Sequence, residues 1–220
     1  MQTIYGDRER CYKCYRPKSS CMCGYIDSFE TNTKFIILMH PKEFKKVKNN
    51  TGFFTHRTLL NSEVFIGIDF SNHTQINKII QTHTSYILYP SSQALNLSDV
   101  NSAKALGATQ KPLAIFLIDS TWACAKKMFT QSTNLQSLQH ISFTTQKQSE
   151  YKIKVQPKEN YLSTIESTLV VLELLNELNI EKIEKKSLSG FLEPFYMMIE
   201  YQQELILNPK HNAVRFKRRD

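Results

Sequence analysis

Apolar and polar positions fall along this chain in blocks that read as buried strands separated by helices. Leu113-Ala114-Ile115-Phe116-Leu117-Ile118 is apolar at every position, too short for a membrane span, and preceded by Lys111-Pro112. Such a run predicts a strand buried on both faces, which belongs in the middle of a parallel sheet. Asp119, Ser120 and Thr121 end it at once, and Trp122, Ala125, Met128 and Phe129 then recur at helical spacing. The pattern predicts strand, tight polar turn and helix, with Ser120 or Thr121 as the N-cap. Lys34 to His40 repeats the buried-strand pattern and stops at Pro41.

Elsewhere the elements are shorter. Thr55 to Leu60 reads as a short helix, Ser62 to Ile68 as a short strand, and Ser85 to Tyr89 as a strand stopped by Pro90-Ser91-Ser92. Residues 71 to 83 are polar with isolated isoleucines, and Gln93 to Leu97 reads as a short helix or loop. Asn101 to Gln110 is a connector of small residues, Ile141 to Phe143 a brief strand, and Thr144 to Pro157 a polar stretch. Ser163 and Glu166 form a capping-box pattern ahead of Leu169, Leu172, Leu175 and Leu178. A last helix is expected from about Gly190 to Leu207, with Phe191, Phe195, Met198, Ile199 and Leu205 inward. The fold class expected is α/β, a mostly parallel sheet flanked by helices over residues 31–220, behind a small N-terminal segment, residues 1–30.

At 220 residues with 41% hydrophobic and 22% charged positions, the chain has the make-up of one main folded domain. Charge changes the picture. Twenty-eight Lys and Arg against twenty Asp and Glu give +8, which favours a polyanionic partner such as nucleic acid. An anionic membrane is the weaker option, because no basic amphipathic helix with an aromatic face stands out. Lys42, Lys45, Lys46 and Lys48 crowd the stretch after His40, and Arg215, Lys217, Arg218 and Arg219 crowd the end. Such runs are usually solvated faces, yet beside a strand end they are also candidates for phosphate contact. Met1 to Glu9 is polar and the first strongly apolar run begins only at Phe35, so a secretory leader is not expected and the cytoplasm is. Nothing points to a protein partner.

Four of the five cysteines lie in Cys11-x-x-Cys14-x6-Cys21-x-Cys23. In a reducing compartment this clustering favours a metal over disulfides, and four thiolates can close a tetrahedral Zn shell at about 2.3 Å. Such a shell is full, hence structural; four free thiols are the alternative. Arg10, Lys13, Arg16 and Lys18 would offset the thiolate charge. Cys124 has no histidine near it in sequence and reads as a small packed residue. There is no P-loop, G-x-G-x-x-G, G-x-S-x-G or H-E-x-x-H pattern. Ligands of open α/β sheets sit beyond the carboxyl ends of strands, where the next helix offers free N–H groups. Asp119 stands at such a place. Spacing alone serves equally a capping Asp119 beside a packing Trp122 and a catalytic Asp119.

Taken in order, Cys11-x-x-Cys14-x-Arg16-Pro17 with Cys21-x-Cys23, His40-Pro41-x-Glu43 with Asn50-Thr51-Gly52, Leu88-Tyr89-Pro90, Asp119-Ser120-Thr121-Trp122 and Leu162-Ser163-Thr164-Ile165-Glu166 resemble the DTW-domain proteins. That family includes tRNA-uridine aminocarboxypropyltransferases, and the resemblance spans most of the chain. It implies a fold related to the knotted SPOUT methyltransferases and S-adenosylmethionine as donor. It also implies transfer of the donor's 3-amino-3-carboxypropyl group to N3 of a tRNA uridine, releasing methylthioadenosine. On this resemblance Asp119 is the candidate base for the N3 proton, its pKa raised by partial desolvation. Trp122 would stack on uracil or adenine. Leu88, Pro90, Ser91, Leu117, Thr121 and Trp122 would line the donor site, while Ser163, Thr164 and Glu166 either touch substrate or only cap their helix. Ser120 stands where the family often has Gly, and Lys154 stands where Arg is expected, which loses the bidentate fork. Methyl transfer on the same fold, or a non-catalytic zinc-containing RNA-binding module, are the alternatives.

Overall fold

A computed structural model describes residues 9–46, 50–99, 106, 110–151 and 161–207. Among these, the strands are β1 (Lys34–Met39), β2 (Ser62–Ile66), β3 (Thr84–Leu88), β4 (Leu95–Asn96), β5 (Leu113–Asp119) and β6 (Gln139–Ser142). The α-helices are α1 (Pro41–Lys46), α2 (Thr51–Thr58), α3 (Thr74–Thr82), α4 (Trp122–Gln131), α5 (Thr133–Gln136), α6 (Thr164–Glu177), α7 (Lys185–Gly190) and α8 (Glu193–Leu207). The strands form one sheet in the order β2-β1-β5-β3-β6-β4, and every pairing is parallel. This is the parallel α/β architecture that the unbroken apolar runs require, since helices must then cover both faces.

The period of two in a strand sorts β1 and β5 between two cores. Phe35, Ile37, Ile115 and Leu117 pack with Phe54 of α2, Ile165 and Leu172 of α6 and Phe195 of α8. Ile36, Leu38, Ala114 and Phe116 pack on the opposite face with Ile76 of α3, Met128 of α4 and Leu135 of α5. Burying Phe116 or Ile37 completely contributes roughly 1.5–3 kcal/mol each, and both are fully buried here. No helix among the described residues is long and apolar enough to cross a membrane.

Several elements differ from the sequence expectation or add to it, the short helices α1, α5 and α7 among them. Helix α2 begins at Thr51 rather than Thr55, because the Asn50 side chain accepts from the Phe53 N–H at 3.0 Å and caps it; Asn50-Thr51-Gly52 is a helix start, not a turn. Residues 95–96 are strand, not helix or loop, because Leu95 pairs with Ile141 and the Leu97 N–H continues onto the Ser142 carbonyl at 2.8 Å. Within the polar 71–83 stretch, to which the sequence assigns no element, α3 forms behind His73 as N-cap. The last helix, α8, is continuous over Glu193–Leu207, close to the expected range, with Pro194 in its first turn; the short α7 ahead of it is a separate helix. Proline lacks the N–H that would continue the earlier helix and suits a helix start. Of the 101–110 connector, only Leu106 and Gln110 are described, and Leu106 lies in the core.

Candidate active site and metal centre

The carboxyl ends of β5, β3 and β6 meet the first turns of α2, α4 and α6 around a cavity of about 380 Å³. That lies in the range of roughly 300–1,000 Å³ usual for small-ligand sites. Leu88-Tyr89-Pro90, Leu117 to Trp122, Ser142-Phe143 and Tyr161 to Thr164 form most of the wall, and Glu43, Asn50, Thr51 and Tyr151 close it. Parallel pairing places Met39 opposite Asp119, and the His40 N–H donates to the Asp119 carbonyl at 3.1 Å. The topology of three adjacent parallel strands therefore delivers Asp119 to the floor of the cavity.

Asp119 is 5% exposed, and its Oδ1 accepts the Thr164 hydroxyl at 2.7 Å. Its carboxylate lies against the start of α2: a Cβ on Gly52 would come within 2.7 Å of Asp119 Cγ and Oδ2. Glycine at position 52 is thus required by close approach, and it lets a helix N-terminus, with its partial positive charge, face a carboxylate. The N-cap of α4 is Thr121, not Asp119, and Thr121 makes no side-chain cap bond. Asp119 is bound to a different helix from the one that follows it.

Around Asp119 sits a buried polar set. Glu43 on α1 is 8% exposed and Tyr151 is 9% exposed. Burial pushes the Tyr151 phenol up, and the carboxylates of Glu43 and Asp119 push it further. His40 is held below its ordinary pKa by burial and by Lys42 and Lys127, so it stays neutral near pH 7. At one edge of the cavity Trp122 and Tyr161 lie with ring centroids 4.3 Å apart, and Trp122 is 38% exposed.

Two residues expected in the donor site stand outside this wall. Ser91 is exposed and its hydroxyl lies 2.8 Å from His140 Nδ1. Glu166 is buried, and its carboxylate is filled by the Ser163 N–H at 2.8 Å, the Ser163 hydroxyl at 2.5 Å, the Ser149 hydroxyl at 2.9 Å and the Glu150 N–H at 2.8 Å. Glu166 thus closes the capping box of α6 and ties down the loop that carries Tyr151. Leu88, Pro90, Leu117, Thr121, Trp122, Ser163 and Thr164 do line the cavity. Glu43, Tyr151 and Tyr161 carry no sequence signal strong enough to place them there, although Glu43 belongs to His40-Pro41-x-Glu43.

The sulfurs of Cys11, Cys14, Cys21 and Cys23 all lie within 4.8 Å of one another. Tetrahedral coordination at a Zn–S distance of about 2.3 Å sets sulfurs about 3.8 Å apart, and Cys14 and Cys21 are separated by 3.6 Å. The donor set fits zinc. Its first turn is closed by Cys11 N–H to the Arg16 carbonyl at 2.8 Å and Tyr15 N–H to the Cys11 carbonyl at 2.7 Å, with Tyr15 at φ 56. The Cys14 backbone N–H holds the Cys11 thiol down to about 6, while burial pushes Cys23 up to about 12. A divalent cation favours the thiolate of every ligand. Arg57, on α2, donates to Cys23 Sγ at 3.2 Å and to the Lys13 carbonyl, and the Arg16 guanidinium lies 5.7 Å from the centre of the Phe54 ring.

Of the basic residues, Lys42 is exposed on α1, and Lys45 and Lys46 belong to the same helix. Lys48, Lys154, Arg215, Lys217, Arg218 and Arg219 lie outside the described residues.

Comparison with known proteins agrees with the motif order. A family model described as the DTW domain matches residues 8–203. The tRNA-uridine aminocarboxypropyltransferase 2 of Macaca fascicularis is 28% identical over 177 residues, covering 78% of this chain and 58% of the relative. The Drosophila melanogaster protein of that name is 28% identical over 205 residues, covering 89% and 75%. The tRNA-uridine aminocarboxypropyltransferase A of Arabidopsis thaliana is 26% identical over 242 residues, covering 98% and 90%. The chain spans about 58% of the length of the macaque and mouse relatives. No solved structure matches it. With the match running from before the first cysteine to the middle of α8, and with Asp119-Ser120-Thr121-Trp122 at the floor of the cavity, the chain belongs to the DTW-domain family.

Proposed function

We propose that this chain is a tRNA-uridine aminocarboxypropyltransferase that uses S-adenosylmethionine as donor and releases methylthioadenosine. The observation that carries the reading is Asp119, buried at the carboxyl end of the central strand, lining the cavity and oriented by Thr164. The names of the relatives supply the group transferred and the class of acceptor. Uridine N3 attacks the carbon of the aminocarboxypropyl arm that is bound to the sulfonium. The N3–C bond forms, the C–S bond breaks with its electron pair going to sulfur, and the N3 proton passes to the Asp119 carboxylate. A positioned base of this kind contributes about 10²–10⁴ in rate.

The rest of the wall supports donor and acceptor. A sulfonium is cationic, and Glu43 and Asp119 line the same cavity. The first-turn N–H groups of α4, which lack a side-chain cap, suit the donor carboxylate. Trp122 and Tyr161 offer ring faces to a nucleobase. Zinc held by Cys11, Cys14, Cys21 and Cys23 orders the N-terminal segment and takes no part in the chemistry. Lys42, Lys45, Lys46 and Lys48, with the Arg215 to Arg219 end, contact phosphates.

The test is to incubate the purified chain with donor and unmodified tRNA. Methylthioadenosine in step with an N3-substituted uridine supports the reading; S-adenosylhomocysteine identifies methyl transfer instead, and neither product with intact donor refutes catalysis.

A further inference from the structure

We infer that the exposed face of the cysteine knuckle is a stacking platform for an unpaired nucleotide of the RNA, apart from the cavity that takes the target uridine. The inference rests on RNA being the substrate and adds a second contact to it. Tyr12 is 91% exposed and Tyr15 is 74% exposed, the two most exposed aromatic side chains among the described residues. They stand on one turn, whose backbone is fixed by the hydrogen bonds between Cys11, Tyr15 and Arg16. Tyr15 occupies φ 56, a conformation for which glycine is the default, and its ring takes no part in the core. A hydrogen-bonded turn thus holds two tyrosine rings out into water, where packing gives no reason for them.

What surrounds them is cationic. Arg10, Lys13 and Lys18 are exposed on the same turn, and Arg10 Nη1 donates to the Tyr15 carbonyl at 3.2 Å. Among the described residues of this turn the acid is Glu9, and it pairs with Lys18 at 2.9 Å. Aromatic faces for bases beside cations for phosphates are what single-stranded nucleic acid recognition needs, and tyrosine gives up little rotamer freedom in doing so.

Placement fits the same occupant. Asn50 and Thr51, at one end of α2, line the cavity, and Arg57, at the other end, touches Cys23 and Lys13. The eight residues of α2 rise about 12 Å, a span of a few nucleotides. N3 lies on the pairing edge of uracil, so a reactive uridine is out of its pair, and neighbours in the same unpaired stretch are free to stack.

The test uses the full chain carrying Tyr12→Ala and Tyr15→Gly, the glycine keeping the left-handed turn. The probe is a fluorescein-labelled uridine 12-mer followed by anisotropy. Loss of one stacked base is expected to weaken binding about tenfold or more, with the log–log salt slope unchanged, and Tyr12→Trp is expected to retain affinity. Arg10→Gln with Lys13→Gln is expected to flatten that slope by about 0.7 per phosphate lost. Unchanged affinity in a double variant with wild-type metal content overturns the inference. Should that variant not fold, 4-thiouridine crosslinking of the wild-type chain decides: adducts on the peptide holding residues 10–18 support it and their absence overturns it. Tyrosine-dependent binding to phosphatidylserine vesicles with RNA affinity unaltered also overturns it. Tyrosine-dependent RNA binding without methylthioadenosine release keeps this inference and sinks the proposed reaction; the converse result sinks this inference alone.

Discussion

The cavity floor and the cysteine knuckle lie at opposite ends of one helix, α2, and different physics holds each together. At the floor, Asp119, Thr164, Gly52, Glu43 and Tyr151 come from segments far apart in sequence, joined by parallel pairing and by two cores. In the knuckle, the four sulfurs come from one short stretch, and Met22 is the one buried residue among residues 9–28. The floor is stabilised by burial of whole strands, whereas the knuckle has little core of its own and gathers four sulfurs that could hold a metal. The floor's geometry therefore follows from topology, and the knuckle's from ligand chemistry.

The largest expected effect follows directly. Structural zinc binding is worth on the order of 10 kcal/mol, so chelation is expected to abolish hydrogen-exchange protection around Cys11 to Cys23 while β5 stays protected. Loss of protection in both at once would show that the sheet also depends on the metal and would break the contrast.

At the floor the matching test is Asp119→Asn. Asparagine can still accept the Thr164 hydroxyl, so folding and donor binding are expected to persist while turnover drops about 10²-fold or more. Near-normal turnover in a folded variant removes the base from the mechanism. Gly52→Ala acts on the same carboxylate through space. Its Cβ would meet Asp119 Cγ and Oδ2 at 2.7 Å and Asn50 Oδ1 at 3.1 Å, and overpacking of this kind costs about 1–3 kcal/mol. A fall in melting temperature together with a fall in turnover is expected; a variant unaltered in both would mean that α2 yields easily.

The contrast also explains what could be read without coordinates. The cysteine spacing was legible because all its ligands are local, and β5 and the α6 cap were legible because burial on both faces and a capping box leave local signatures. Asp119 was legible as a position, at the end of a buried run, but not as a partner of Thr164, which the packing of α6 against β5 brings to it. Tyr151 and Tyr161 are isolated aromatics in polar stretches, and only the loop pinned by Glu166 and the start of α6 bring them to the cavity. Glu166 follows the capping reading that its motif offered: its carboxylate is satisfied on its own helix cap and a neighbouring loop. Two-residue β4 has no period to detect, and Asn50 reads as a turn until its side chain is seen to cap α2.

Arg57 joins the two regions, and its replacement gives the smallest and most discriminating effect. Its guanidinium donates to Cys23 Sγ at 3.2 Å and to the Lys13 carbonyl, while its backbone belongs to the helix whose other end holds Gly52 against Asp119. Arg57→Met keeps much of the aliphatic stem and removes both donors. A hydrogen bond to a charged acceptor is worth about 1.5–3 kcal/mol, so metal affinity is expected to fall by about ten- to a hundredfold. At saturating zinc the four sulfurs are again held, α2 is still anchored by Phe54 in the core, and turnover is expected to remain within about twofold of the wild-type chain. A competition titration with a chelator measures the first quantity, and initial rates at excess zinc measure the second. A rate loss approaching that of Asp119→Asn under excess zinc would mean that α2 transmits the state of the knuckle to the carboxylate, making the two regions one unit.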